Sequence, residues 1–512
     1  MTPETPPQAS TLRRVLLLVM TLLVTAVMGQ ALVNSWTEPQ VATRLELYQT
    51  DLLLQASMWD GSDLPPEQSA LLRQNLVGKT PLQDAQAAYE TVRKTAIATL
   101  NASTETASSD QNDVAVRPST RLQAAQQQQA DLVNLVDLRL GILQAEQGKV
   151  DDAISTWRDL QTRVTPDSNP WQTAELLAAL WQGQPPDDRA ASVLTQTLDG
   201  WFENRALAKL YLETGELEAL AQLNAAEIQT AERRVATLAA VVAAPAMGSL
   251  VGLGVLLTIG IQRLIQGKDA PIAHNADRRW QTPWTGIIIW QVIVGGFLFL
   301  GQIAMPLLIS PLGGILASFG SRGRAFYALL YYVLMAAGSI TVLVFSIRRY
   351  RPLPEGWFQF RRGNWLAWGA GGYFAALPLM LVVALVNQQL WQGQGGSNPL
   401  LQTVLEEQDP IALGMFFFTA AIAAPLFEEV LFRGFLLPSL TRYVPVGGAI
   451  VLSALIFAVA HLSLSEVLPL TMLGIVLGVV YTRSRNLLAP MLLHSAWNSV
   501  TMLGLLLLGT AT

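Results

Sequence analysis

The feature that most limits the fold of this chain is a series of long apolar runs that begins just after Arg234. A helix needs about 20 apolar residues to cross a bilayer, and helices satisfy their backbone polar groups internally, as the hydrocarbon core requires. The runs therefore predict an all-α protein, a polytopic transmembrane helical bundle. We place spans at 235–262, 285–309, 324–347, 365–388, 411–437, 447–462, 466–482 and 487–508.

A further apolar run, from Val15 to Val33, follows Arg13 and Arg14. It contains about 19 residues, close to the length of one membrane-spanning helix. We interpret 1–33 as an N-terminal transmembrane anchor, which brings the expected number of spans to nine. Small residues near the end of the run leave a cleaved signal peptide as the alternative.

The segment 34–234 has a different composition from the rest of the chain. It holds 16 Lys and Arg against 28 Asp and Glu, whereas the remainder holds 17 against 10. This acidic balance predicts an extramembrane α-helical domain, and no basic tract indicates a nucleic-acid partner. The chain has no cysteine, which excludes disulfides, thiolate catalysis and Cys-ligated metal sites.

Part of this domain, 134–220, has the spacing of a tetratricopeptide (TPR) array. Leu140 and Leu207 lie two 34-residue periods apart to within a residue. Gly141 would allow paired helices to pack closely, and Trp157 would fill the seam between them. The region is therefore TPR-like, and an ordinary helical bundle with amphipathic spacing is an equal alternative.

Loop charges predict how the chain is oriented in the membrane. Basic residues concentrate in the loops after the second, fourth and eighth helices, while the loop 389–410 contains no Lys or Arg. The positive-inside rule then places the N-terminus in the cytoplasm and the 34–234 domain on the non-cytoplasmic side. Arg322, in the expected outer loop 310–323, does not follow the rule. We assign 235–283 to a transmembrane helix and cytoplasmic loop, and 284–512 to the main membrane domain.

Two glutamates and an arginine interrupt one of the apolar runs. Glu428 and Glu429 are the acidic residues that lie deep inside a span, and Arg433 follows four positions after Glu429. Each charged group at the centre of a membrane helix costs roughly 2.5–3.5 kcal/mol on insertion scales. Glu429 and Arg433 share a helix face and can form an ion pair. Glu428 points about 100° away around the helix and is left for chemistry.

Two of the three histidines in the chain follow in the next apolar runs. His461 shares a helix face with Phe457, and His494 shares one with Asn498, because each pair is four residues apart. A carboxylate and an imidazole can take a proton from water and return it to a leaving amine. A second imidazole and a carboxamide can donate hydrogen bonds to the oxygen of a tetrahedral intermediate. This set predicts an integral-membrane endopeptidase that uses water directly.

Other functions are compatible with the same residues. His461, His494 and Glu428 would also suit zinc, although the chain has no His-Glu-x-x-His motif. This gives a zinc-dependent intramembrane metalloprotease as one alternative. The Glu429–Arg433 pair would also suit a purely structural role, which gives a non-proteolytic membrane scaffold or protector protein as another. A transporter is less well supported, because no inverted repeat is visible.

The three motifs resemble those of the CPBP family of intramembrane proteases, also called the ABI family, which includes the type II CAAX prenyl endopeptidases. The family pattern is Glu-Glu-x-x-x-Arg, Phe-x-x-x-His and His-x-x-x-Asn, and all three occur here without substitution. The resemblance covers about 410–505 and does not extend to 34–234.

The resemblance implies a role for each matching residue. Glu428 would activate water with His461 as its partner, and His494 and Asn498 would form the oxyanion hole. Glu429, Arg433 and Phe457 would be supporting residues. No cofactor is then expected, and the partners are a membrane protein or peptide substrate and membrane lipid, with a possible protein partner at the 34–234 domain. The CAAX specificity is not carried over, and the family also includes scaffolds.

Overall fold

The chain is helical throughout the part that the structure, a computed structural model, describes. The described residues are 11–36, 41–61, 64–109, 120–361, 363–391, 395–397 and 399–509. No β-strand occurs among them, so the predicted all-α class is confirmed.

Eight helices of this part are long and apolar enough to cross a membrane. The protein is therefore a multi-pass membrane protein. The ninth expected span, 447–462, forms a helix of 14 residues, Val446–Val459, shorter than the roughly 20 residues that a bilayer requires. The eight candidate spans are Thr11–Ser35, Leu217–Asp269, Gly286–Ala317, Gly320–Tyr350, Trp365–Trp391, Pro410–Leu440, Leu464–Ser484 and Leu488–Gly509.

The chain divides into two compact units. One consists chiefly of Thr37–Ala244, and the other of the helix before Trp36 together with the chain from Pro245 to Leu506. The division falls inside one continuous helix, Leu217–Gln266, where Pro245 lacks the N–H that would continue the hydrogen-bond ladder. This helix runs through residue 234, where the sequence suggested a boundary.

The first unit is a stack of helices in which sequence neighbours pack against each other. Gly141 and Trp157 meet in its core, and a Cβ atom at position 141 would collide with the indole. The indole Nε1 of Trp157 also donates to the carbonyl of Leu138 at 3.1 Å. The close packing expected at Gly141 is therefore present, while the TPR assignment stays a prediction. The helices are Val41–Ser57, Pro66–Leu76, Pro81–Ser109, Thr120–Glu146, Val150–Arg163, Asn169–Trp181, Ala190–Thr197, Gly200–Thr214 and the start of Leu217–Gln266.

The second unit contains the membrane helices, and two of the expected loops there are partly helical. The expected loop 310–323 is much shorter in the structure, because apolar residues extend the preceding helix to Ala317 and the next begins at Gly320. Arg322 forms an ion pair with Asp409 at 2.6 Å. Within the predicted loop 389–410, a short helix runs from Pro399 to Glu406.

The helix Pro410–Leu440, here called the carboxylate helix, is not a uniform α-helix. Its residues Thr419–Ala423 and Val430–Leu436 are π-helical, and the α-helical stretch Ala424–Glu429 lies between them. Short π-helical turns are uncommon and occur frequently at functional sites. The two glutamates therefore lie at the end of the α-helical stretch, next to a change in helical geometry.

Candidate active site

The centre of the site is a fully buried group of three charged or polar side chains. Glu429 Oε1 accepts hydrogen bonds from Arg433 Nη1 at 2.7 Å and from His494 Nδ1 at 2.8 Å. The exposed fractions are 0% for Glu429 and Arg433 and 3% for His494. Arg433 also donates to the carbonyl of Gly474 at 3.2 Å. The predicted Glu429–Arg433 ion pair is thus present, and it also binds an imidazole from Leu488–Gly509, here called the final helix.

This contact determines which ring nitrogen of His494 is free. An ionised carboxylate can only accept hydrogen bonds, so Nδ1 of His494 carries the hydrogen that points to Glu429. The other ring nitrogen, Nε2, lies 3.9 Å from Oε2 of Glu428. The second glutamate therefore faces the second nitrogen of the same imidazole.

Glu428 is more accessible than its neighbour and has a partner that the sequence did not suggest. Its side chain is 13% exposed, and its Oε1 accepts a hydrogen bond from the hydroxyl of Tyr332 at 3.0 Å. Tyr332 lies in the helix Gly320–Ile347, almost 100 residues away in sequence and outside all three motifs. The only signal in the sequence is a phenol inside an apolar run, since a buried tyrosine hydroxyl usually finds a hydrogen-bond partner.

Phe457 connects the two histidines. Its ring centroid is 4.9 Å from that of His461 and 5.8 Å from that of His494, both in edge contacts. The Arg433 guanidinium lies 4.7 Å from the centroid of the same ring, a cation–π distance. Phe457 therefore lies beside His461, as their spacing predicts, and its ring also contacts His494.

The imidazole that lies beside Glu428 is not the one that the resemblance implied, and the roles of the two histidines stay predictions. His461 uses Nδ1 for a 2.9 Å hydrogen bond with the carbonyl of Phe457. Within the described ranges, no hydrogen bond or ion pair joins His461 to either glutamate; His494 occupies the place beside Glu428 instead. His494 takes this place because the final helix packs with His494 facing both carboxylates.

Asn498 and Ser495, also on the final helix, bind backbone carbonyls of the carboxylate helix. Asn498 Nδ2 donates to the carbonyl of Ala420 at 2.7 Å, and the Ser495 hydroxyl donates to the carbonyl of Ala421. Pro425 has no N–H. It therefore cannot donate to the carbonyl of Ala421, as it would in an α-helix, or to that of Ala420, as it would in a π-helix. The two side chains donate to carbonyls of the turn that lacks the Pro425 N–H, and this ties the final helix to the turn before the glutamates.

The same geometry tests the alternative zinc ligands His461, His494 and Glu428. In the part of the chain that the structure covers, no group of three or more His, Asp or Glu side chains is arranged to hold a metal ion. His494 and His461 each use Nδ1 for a hydrogen bond, to Glu429 and to a carbonyl, and each keeps Nε2 as the nitrogen that could bind a metal. The residues do not fit a three-ligand zinc site in this arrangement, and we derive no step through a metal.

The fold and the site define a multi-pass membrane protein with a buried carboxylate–imidazole–guanidinium cluster. Residues 410–500 match the family model described as type II CAAX prenyl endopeptidase Rce1-like. This confirms the resemblance predicted from the motifs, over a segment that contains every predicted site residue and does not include Tyr332.

Two curated relatives are similar to the chain. A putative membrane peptidase of Bacillus subtilis (strain 168), YdiL, is 23% identical over 134 residues, 26% of this chain and 54% of the relative. A membrane-embedded CAAX protease of Staphylococcus aureus (strain USA300), MroQ, is 22% identical over 218 residues, 41% of this chain and 87% of the relative. The chain thus spans only about half the length of the Bacillus relative. No solved structure matches it significantly.

Proposed function

We propose that the protein is an integral-membrane endopeptidase that hydrolyses peptide bonds of membrane proteins or peptides with an activated water molecule. One observation carries the proposal: Glu428 Oε2 lies 3.9 Å from His494 Nε2. Two acceptor atoms at that distance can both receive hydrogen bonds from one water placed beside them. The match of 410–500 to an endopeptidase family supports the same function.

In the proposed mechanism, the water oxygen attacks the carbonyl carbon of the scissile bond while Glu428 takes its proton. A tetrahedral intermediate forms, and its collapse breaks the C–N bond as the proton passes to the leaving nitrogen. Glu429 holds His494 in one tautomer, and the buried charges of Glu429 and Arg433 compensate each other.

The roles of the two histidines are part of the proposal. The resemblance gives His461 the place beside Glu428 and gives His494 and Asn498 the oxyanion hole. The distances favour His494 as the partner of Glu428. His461, when protonated, would then donate from Nε2 to the oxygen of the intermediate, since its Nδ1 is used by Phe457.

The decisive test replaces Glu428 by glutamine in the full-length protein, reconstituted in vesicles. The probes are a library of membrane-spanning peptides that carry a fluorophore and a quencher, and the peptide that the wild type cleaves fastest is used. Glu428→Gln removes the proton acceptor without changing size, so cleavage should fall by at least about 100-fold. Glu355→Gln, in an exposed loop, is the matched control. Full activity in Glu428→Gln would overturn the proposal.

We further propose that hydrolysis needs no metal ion. The activity of the wild type should then be unchanged by a zinc chelator. Loss of cleavage with the chelator, restored by added zinc, would support the metalloprotease alternative instead.

The unit Thr37–Ala244 lies outside the matched segment, and this favours a second candidate function, a membrane scaffold that docks a protein partner through that unit. A scaffold would keep its cellular function in Glu428→Gln, whereas an endopeptidase would lose it.

We also propose the predicted orientation, with the N-terminus in the cytoplasm and the unit Thr37–Ala244 on the other side. Protease added outside intact cells should digest this unit in that case.

A further inference from the structure

We propose that Tyr332 is a positioning residue for Glu428, an inference that rests on the proposed endopeptidase function. The Tyr332 hydroxyl donates to Glu428 Oε1 at 3.0 Å. An ionised carboxylate has no hydrogen to give, so the direction of this bond is fixed. Tyr332 therefore occupies one oxygen of Glu428 and leaves Oε2, the oxygen that faces His494, for the water.

The tyrosine ring is itself held in place. It makes an edge contact with Phe427, the residue before Glu428, with centroids 6.1 Å apart. The helix Gly320–Ile347 thus contacts the carboxylate helix through both the ring and the hydroxyl of one side chain. Without the hydroxyl, the carboxylate of Glu428 could rotate and its two oxygens would become equivalent.

The neighbouring residue provides a matched control. Tyr331 has the same side chain in the same helix, and its hydroxyl donates to the carbonyl of Gly301 at 2.7 Å. Tyr331→Phe and Tyr332→Phe therefore remove the same atom and one hydrogen bond each. Only Tyr332→Phe removes a bond to the proposed catalytic carboxylate, that of Glu428.

The kinetic test measures kcat and KM for the fastest-cleaved membrane peptide. Loss of a hydrogen bond to a charged group lowers a reaction rate by roughly 10- to 100-fold. We therefore expect kcat of Tyr332→Phe to fall by this factor, with KM nearly unchanged. Tyr331→Phe should keep the wild-type kcat. Equal kcat values in the two variants would overturn the proposal.

An infrared measurement tests the contact without activity. The difference spectrum between wild type and Glu428→Gln, with ¹³C-labelled glutamate, identifies the carboxylate band of Glu428. That band should shift in Tyr332→Phe and stay in place in Tyr331→Phe. An unshifted band in Tyr332→Phe would disprove the positioning role even if Glu428→Gln is inactive. A shifted band together with an active Glu428→Gln would instead refute only the proposed function.

A separate cavity supports a second, independent proposal. It has a volume of about 380 Å³ and lies between the end of the helix Gly320–Ile347 and the loop that follows. Val344, 40% exposed, forms part of its wall on the membrane-spanning helix. Its lining is apolar except for Arg351 and includes Ile340, Leu343, Val344, Leu353, Trp357 and Val430.

The charge beside this cavity indicates its occupant. Arg348, Arg349 and Arg351 are all exposed, against a single acid, Glu355, in the same stretch. Basic pockets between membrane helices bind anionic lipid headgroups. We infer that the cavity binds an anionic phospholipid, with an acyl chain among the apolar side chains and the phosphate at Arg351.

Native mass spectrometry of the full chain with phosphatidylglycerol or phosphatidylcholine tests this inference. We expect one phosphatidylglycerol to be retained, and about fivefold weaker binding in Arg351→Gln, the effect of one lost cation near the phosphate. Leu353→Trp, which fills the cavity, should also release the lipid. Arg324→Gln, at the other end of the same helix, is the control. Equal retention of phosphatidylcholine, or wild-type retention by Arg351→Gln, would overturn the inference.

Discussion

His494 donates from Nδ1 to Glu429 at 2.8 Å, and the accepting oxygen is the one that also binds Arg433. The buried ion pair and the imidazole are therefore parts of one hydrogen-bonded unit. Its members come from two helices. Their arrangement brings the charges of Glu429 and Arg433 together and determines the tautomer of His494.

Removing Arg433 should strongly destabilise the protein. Breaking a buried ion pair by removing one partner costs about 3–5 kcal/mol, because an uncompensated charge stays buried. We expect this loss for Arg433→Leu, measured as the free energy of unfolding in detergent. The double variant Glu429→Gln/Arg433→Leu should recover part of it; an equal or larger loss in the double variant would contradict a charge-based explanation.

The two histidines should differ in their effect on stability. His494→Ala removes a donor to the buried Glu429 carboxylate, so it should lower both activity and the free energy of unfolding, the latter by about 1–3 kcal/mol. His461→Ala removes a bond to a backbone carbonyl and a ring contact with Phe457, and neither contact involves a buried charge, so it should affect mainly the activity. Thermal unfolding and peptide cleavage measured on both variants check this, and the reverse pattern would favour His461 as the partner of Glu428.

Ser495→Ala and Asn498→Ala should both loosen the carboxylate helix, since each removes a side-chain hydrogen bond to a carbonyl of the turn before Pro425. The expected cost is about 1–3 kcal/mol for each change. Asn498→Ala should lower kcat no more than Ser495→Ala does if its role is structural. A loss of about 100-fold or more found only in Asn498→Ala would instead support the oxyanion-hole role.

Asp409 should make stability depend on pH. It accepts from the backbone N–H groups of Ile411 and Ala412 at the start of the carboxylate helix, and the hydrogen bond from Arg322 is the main cause that lowers the pKa of its carboxyl. A pKa that is lower in the folded state means that the stabilisation is present above the ordinary pKa of Asp and is lost as pH falls through the lowered value.

The variants Asp409→Ala and Asp409→Asn separate the two contributions of this residue. Asp409→Ala removes the helix cap and the charge, whereas Asp409→Asn keeps a good capping residue. The Tm of wild type should exceed that of Asp409→Ala at pH 7, and the difference should shrink in acid. A difference that does not change with pH would show that the charge of Asp409 does not contribute.

Much of this arrangement follows from short-range spacing. The Glu429–Arg433 pair joins residues four apart in one helix, and a helix brings such residues together whatever its neighbours are. The Phe457–His461 contact has the same separation, although His461 lies in the turn just after its helix. The apolar runs likewise gave eight helices of membrane-spanning length. The expected ninth, now Val446–Val459, is shorter because its apolar run includes the turn that leads to His461.

The contacts that sequence reasoning missed join residues far apart in the sequence. Tyr332 reaches Glu428 from another helix, and Asn498 and Ser495 reach the carbonyls of Ala420 and Ala421, in the turn where Pro425 has no N–H to donate. None of these contacts has a periodic signal in the sequence. Pro425 was a visible hint, since a proline inside a helix always leaves a backbone acceptor to be satisfied.

The sequence by itself determined that the chain is a helical membrane protein, and it predicted a site at two glutamates, two histidines and an arginine. The regular geometry of a helix and the cost of charge in a bilayer are sufficient for that. The tertiary structure alone decided that His494 meets both glutamates and that Tyr332 holds Glu428. Such partners depend on how separate helices pack and rotate against one another, which spacing along one helix does not specify.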